Sequence, residues 1–161
     1  MPAPTLQPWR QFLLHEVKRF VQSASQIKGV LRIALVGSLV TDKPQPKDAD
    51  LLVTIDQDND IDSLAAAGRR LKGRGQSRGS GADIFLCGPQ GDYLGRTCSF
   101  RECHPRVSCS GYQCGLGTRI CDDLDIICLE HGLIREPPLE LWPNVVRRTT
   151  IPADVERIVL E

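Results

Sequence analysis

The sequence lacks a surplus of charge. Its 20 Lys and Arg residues are matched by 20 Asp and Glu, which argues against a protein that is basic all over and grips nucleic acid by charge alone. It also lacks any apolar run near the ~20 residues that a spanning helix requires, so no membrane partner is expected. The N-terminal text MPAPTLQPWRQFLLHEVKRF carries charges through its apolar positions and does not read as a signal peptide. The cytoplasm is therefore the expected compartment. Internal repeats and low-complexity tracts are missing too. What remains is ordinary globular text, 41% hydrophobic and 25% charged over 161 residues, enough for one domain with a small appended module. Cysteine is the exception, at seven residues, because a reducing compartment makes structural disulfides improbable.

Hydrophobic periodicity predicts a helix from residue 9 to about 26, with Trp9, Leu13, Val17, Phe20 and Val21 on one stripe and Arg10, Glu16, Lys18 and Arg19 mostly elsewhere. Val30–Val36 reads as a buried strand that stops at Gly37-Ser38, and the prolines at 44 and 46 make 39–47 a loop. Asp50–Ile55 is a second strand. Asn59 or Asp60 can cap a helix over 61–71. The segment KGRGQSRGSG (72–81) reads as a Gly-rich basic loop, and Ala82–Cys87 as a third strand. From 91 to 121 the periodicity disappears. Leu124–Leu129 is a further strand candidate, and a short helix is expected over 153–160. The order predicts an α+β (α/β) domain, a small mixed sheet flanked by helices. The expected organisation is a core over 1–90, a Cys-rich module over 91–121, and a C-terminal strand and tail over 122–161 packing on the core.

The informative constellation is Gly37-Ser38, then Asp48-Ala49-Asp50, then Asp83. Gly37 permits a sharp turn at a strand end, and Ser38 offers an N–H and a hydroxyl to phosphate oxygens. Asp48 and Asp50 are two apart at a strand entry, so both project from one face. Asp83 stands one residue into a third apolar strand, where a lone carboxylate is costly to bury. Three carboxylates at one sheet edge form an oxygen-rich site suited to Mg²⁺.

The text LRIALVGSLVTDKPQPKDADLLVTI, followed by GADIFL, resembles the nucleotidyltransferase superfamily with the DNA polymerase β-like fold, especially its minimal members. The resemblance spans about residues 27–87. It implies that Gly37 and Ser38 hold the triphosphate of an NTP, that Asp48 and Asp50 bind two Mg²⁺ ions with Asp83, and that Asp83 helps deprotonate a hydroxyl acceptor. Many relatives follow Gly-Ser with a small residue, Arg and Gly, whereas here Leu39-Val40-Thr41 follows. Lys43 and Lys47 are left to meet the phosphates as point charges.

Arg69, Arg70, Lys72, Arg74 and Arg78 cluster on the approach to Asp83. They suit a nucleotide's or an RNA's phosphates, and equally a solvated helix end. No aromatic residue interleaves with them, so base stacking there has no support. Cys98-x4-Cys103-His104 and Cys109-x4-Cys114 resemble a compact zinc knuckle or ribbon. Cys98, Cys103, Cys109 and Cys114 are the expected ligands of a structural Zn²⁺, with His104 as a substitute for Cys103; free thiols, disulfides and a redox sensor are the alternatives. Cys87 and Cys128 read as small core residues, and Trp142 as an anchor for the tail. Three functions follow. One is transfer of a nucleoside monophosphate to a hydroxyl acceptor. The second is an inactive zinc-binding interaction module that contacts RNA or a partner protein. The third is one half of a toxin–antitoxin pair.

Overall fold

A computed structural model describes residues 8–76, 81–98, 120–121 and 128–161. Helix α1 (Pro8–Ala24) leads into strand β1 (Val30–Val36) and a single 3-10 turn (Gly37–Val40). Strand β2 (Asp48–Ile55), helix α2 (Ile61–Gln76) and strand β3 (Gly81–Cys87) follow, then β4 (Tyr93–Thr97) and β5 (Ile120–Cys121). Helix α3 (His131–Arg135), strands β6 (Leu139–Trp142) and β7 (Val146–Arg147) and helix α4 (Ala153–Ile158) complete the order. The protein is α+β. Its seven strands form one mixed sheet in the order β5-β4-β3-β2-β1-β6-β7, in which β2 and β3 run parallel and the other pairs antiparallel.

The alternation of each central strand divides the core between two faces. Ile33 and Leu35 of β1, Leu51 and Val53 of β2, and Ile84 and Leu86 of β3 pack against Leu13, Leu14 and Val17 of α1, Leu64 and Leu71 of α2, and Val155 of α4. Each fully buried Leu or Val in this layer stabilises the fold by roughly 1.5–3 kcal/mol. On the opposite face a smaller cluster of Ala34, Val36, Leu52, Phe85 and Cys87 is covered by Ile134 of α3. The same alternation places Asp48, Asp50 and Asp83 on this second face, at the end that α3 leaves uncovered.

Two local rules explain the element boundaries. Asp60 caps α2, its carboxylate accepting from the Ser63 amide at 3.2 Å and the Ser63 hydroxyl at 2.6 Å. The helix then runs past the expected stop at residue 71, through Gly73 and Gly75 to Gln76. Glycine costs about 1 kcal/mol in a helix interior, but Leu71 and Gly75 are buried, and packing outweighs propensity. Gly68 has a specific use, since a Cβ there would lie 3.0 Å from both Ile84 and Thr97; its absence lets α2 approach β3 and β4. The basic stretch beginning at residue 72 is thus helix for half its length, a correction to the loop expected there.

The stretch 91–121, expected as a separate module, contributes its described ends, β4 and β5, to the common sheet. Its residues 99–119 lie outside the described residues, as do 122–127, which hold most of the strand expected at 124–129. The tail does more than pack. Strand β6 pairs with β1, Leu35 opposite Leu139, and β7 pairs with β6, Leu139 opposite Arg147.

Buried Arg10, 5% exposed, ties this tail to the rest. Its guanidinium pairs with Asp154 of α4 at 2.5 Å and donates to the Leu39 carbonyl at 3.1 Å and the Lys43 carbonyl at 3.0 Å. One side chain therefore fixes α1, α4, the 3-10 turn and the following loop together. Among the described residues, no helix is long and apolar enough to cross a membrane.

Candidate functional site

One end of the sheet gathers the residues singled out by the sequence. At this end β1 finishes, β2 and β3 begin in parallel, β4 finishes and β6 begins. The parallel register sets Asp48 opposite Gly81 and Asp50 directly opposite Asp83, while β1 sets Val36 beside Asp50. Across this end of the sheet Arg96 reaches Asp83, Asp83 stands opposite Asp50, and Asp50 lies against Gly37. The juxtaposition of the three aspartates follows from strand order, which spacing alone does not determine.

Two glycines are required at this edge. Gly37 adopts φ +74°, and a Cβ there would collide with Asp50 Oδ2. At Gly81 a Cβ would lie 2.6 Å from Asp48 Oδ1. The turn residue thus also makes room for the central carboxylate. Ser38 is half-buried in the 3-10 turn, its carbonyl accepting from the Thr41 hydroxyl at 2.6 Å and the Thr41 amide at 3.1 Å. Lys43 and Lys47 are exposed. Their backbones are engaged, Lys43 through Arg10 and Lys47 through the Gly81 amide at 3.2 Å.

The electrostatics single out Asp50. Burial first, then the charges of Asp83 and Asp48, push its carboxyl from an ordinary 3.8 up to about 7. Asp48 is exposed. Asp83 is paired with Arg96 of β4 at 3.1 Å. Nothing in the sequence pointed to Arg96; only the β3–β4 pairing, Phe85 opposite Arg96, brings it to this edge.

The carboxylates are hard oxygen donors of the kind divalent cations take. Among the described residues, however, no group of three or more His, Cys, Asp or Glu side chains is placed to hold a metal ion. Asp48 and Asp50 fit a divalent cation in chemistry and position on β2, whereas Asp83, expected as a third ligand, faces a guanidinium instead. Of the four cysteines expected around zinc, Cys98 is buried at the end of β4; Cys103, Cys109 and Cys114 lie outside the described residues, with His104. Cys87 is a core thiol, in contact with the Thr54 hydroxyl at 3.2 Å and raised in pKa, mainly by burial. Cys128 is exposed, against expectation. Trp142 packs on the core as expected. In the basic cluster Arg74 turns back to Glu16 of α1 at 3.1 Å, and Arg78 lies outside the described residues.

Residues 3–104 match a family described as a family of unknown function, DUF6932. The chain belongs to that family. The DUF6932 match takes in α1, the 3-10 turn, all three aspartates and Arg96, and ends before the C-terminal tail. No curated protein and no solved structure matches the chain.

Proposed function

We propose that this DUF6932 protein is a cytoplasmic nucleotidyltransferase, moving a nucleoside monophosphate from an NTP to a hydroxyl acceptor. The observation that carries the reading is the apposition of Asp50 and Asp83 in parallel register, with Asp48 on the same face and Gly37 against the Asp50 carboxylate. An edge with three acidic groups and one near-neutral pKa is built to meet positive charge or to take a proton. In this reading Gly37 and Ser38 meet the phosphate oxygens at the end of β1, with Lys43 and Lys47 as mobile counter-charges. Mg²⁺ held by Asp48 and Asp50 would supply charge neutralisation of the phosphates. The acceptor oxygen bonds to the α-phosphorus, the bond to the departing pyrophosphate breaks, and the acceptor's proton passes to Asp83. Arg96 positions Asp83 for that role. A structural Zn²⁺ on Cys98, Cys103, Cys109 and Cys114 would order the segment after β4.

The Arg96–Asp83 pair favours a second reading. A third carboxylate already neutralised by arginine suits an inactive nucleotidyltransferase-fold module that contacts RNA or a protein partner. Pyrophosphate release, screened over the four NTPs with Mg²⁺ alongside zinc analysis, separates the two. Release dependent on Mg²⁺ supports the enzyme; stoichiometric zinc without release supports the module.

A further inference from the structure

A cavity of about 580 Å³ adjoins the carboxylate edge and shares Gly37 with it. Gly37 lies against Asp50 and also lines the cavity, whose other residues come from the 3-10 turn, the residues after it and the C-terminal tail. Its apolar surface comes from Val40, Pro138 and Pro152, and its polar groups from Thr41, Asp42, Thr149 and Thr150. The volume lies within the range of small-molecule sites, roughly 300–1,000 Å³, and the lining has their usual make-up, apolar with a few polar groups.

The chemistry of the lining restricts what fits. No Lys or Arg stands among the lining residues, and the one charged group is a carboxylate. A phosphate is therefore unwelcome inside it, whereas an uncharged body bearing hydroxyl or amino donors is favoured, since ionised Asp42 is an acceptor only. The phosphate end of a ligand would lie beyond Gly37, and its neutral end in the cavity. We infer that this cavity is the nucleoside subsite. Proline and valine faces pack against the base, and Asp42, Thr149 and Thr150 hydrogen-bond the base edge or the ribose hydroxyls. This inference rests on the phosphate-site reading of Gly37 and Ser38 given above.

Both walls are held rigidly by groups outside the cavity. Arg10 fixes the 3-10 turn and the Lys43 carbonyl on one side and α4 on the other. Arg148 fixes the second wall, bonding Glu140 at 2.6 Å and the Pro137 carbonyl at 3.0 Å. Pro138, Thr149, Thr150 and Pro152 all lie beyond the family match at 3–104. Nucleoside choice would thus reside in the tail and phosphate handling in the shared core.

The test is equilibrium binding of ATP, GTP, CTP and UTP, each with Mg²⁺, compared with inorganic tripolyphosphate. The full chain is compared with Thr150→Trp, which fills the cavity from an exposed position, and with Asp42→Ala, which removes its carboxylate. Expected is tighter binding of at least one NTP than of tripolyphosphate. Both variants should weaken that NTP by about tenfold and leave tripolyphosphate binding unchanged. If Thr150→Trp does not fold, Asp42→Ala alone decides. Variants that bind NTP like the parent, while tripolyphosphate still binds, overturn the subsite and leave the phosphate site standing. Equal weakening of both ligands also overturns it. Failure of the parent to bind either ligand overturns the phosphate-site reading and the subsite with it.

Discussion

Replacing Asp50 by Asn removes one charge from the carboxylate edge with almost no change of shape, and its effect depends on pH in a defined direction. The Asp50 carboxyl rises from 3.8 to about 7 on folding. Between these values the folded chain holds a proton that the unfolded chain has released, so the parent loses stability as pH rises through the window. The full shift corresponds to about 4 kcal/mol. Asp50 is only half-buried, and solvent screening reduces the expected effect to about 2 kcal/mol. Urea midpoints, measured without divalent cations, should therefore coincide for parent and Asp50→Asn near pH 4. They should diverge in favour of the variant up to about pH 7 and run parallel above it. Adding Mg²⁺ at pH 7.5 should stabilise the parent and not the variant. A stability difference that is flat across the window, or that favours the parent at high pH, would refute the argument that burial, together with the charges of Asp83 and Asp48, raises this pKa.

Arg10→Ala leaves buried Asp154 without its counter-charge, only the Val155 amide still donating to it, and removes a donor from the Leu39 and Lys43 carbonyls; a loss of about 3–5 kcal/mol is expected in denaturant titrations. A loss below about 1 kcal/mol would deny Arg10 its role in joining α1, α4 and the turn. Gly37→Ala must place a methyl at φ +74° against Asp50 Oδ2, so a cost of about 1–3 kcal/mol is expected, with loss of phosphate binding. Plasma emission analysis of protein purified under reducing conditions should find about one zinc per chain. Cys109→Ser together with Cys114→Ser should remove it, and unchanged zinc content would exclude those two ligands.

The central strands were legible because they are buried on both faces and therefore read as continuous apolar runs: Val30–Val36, Asp50–Ile55, Ala82–Cys87. The aspartates were legible because period-2 alternation puts Asp48 and Asp50 on one face wherever the strand goes. Their meeting with Asp83 required the strand order. Strand β4 was not legible, since Gly95 at φ +121° and a register shift interrupt its alternation, and Arg96 was hidden with it. Arg10 could have been found. It stands three and seven residues before Leu13 and Val17, on the helix stripe that faces the core, and only its charge suggested solvent. Its partner, 144 residues away, could not be read locally. The tail strands β6 and β7 are too short to carry a periodic signal, yet the residues flanking them, Pro138, Thr149, Thr150 and Pro152, line the cavity beside Gly37.

The central claim is that the carboxylate edge transfers nucleotides. The most direct measurement is pyrophosphate release from the four NTPs, with Mg²⁺, by the full chain and by the Asp48→Ala/Asp50→Ala double variant, each shown to be folded by its thermal midpoint. Release by the parent with at least one NTP, and its loss by two or more orders of magnitude in the variant, is the predicted result. No release by the parent, or release that survives the double substitution, would contradict it.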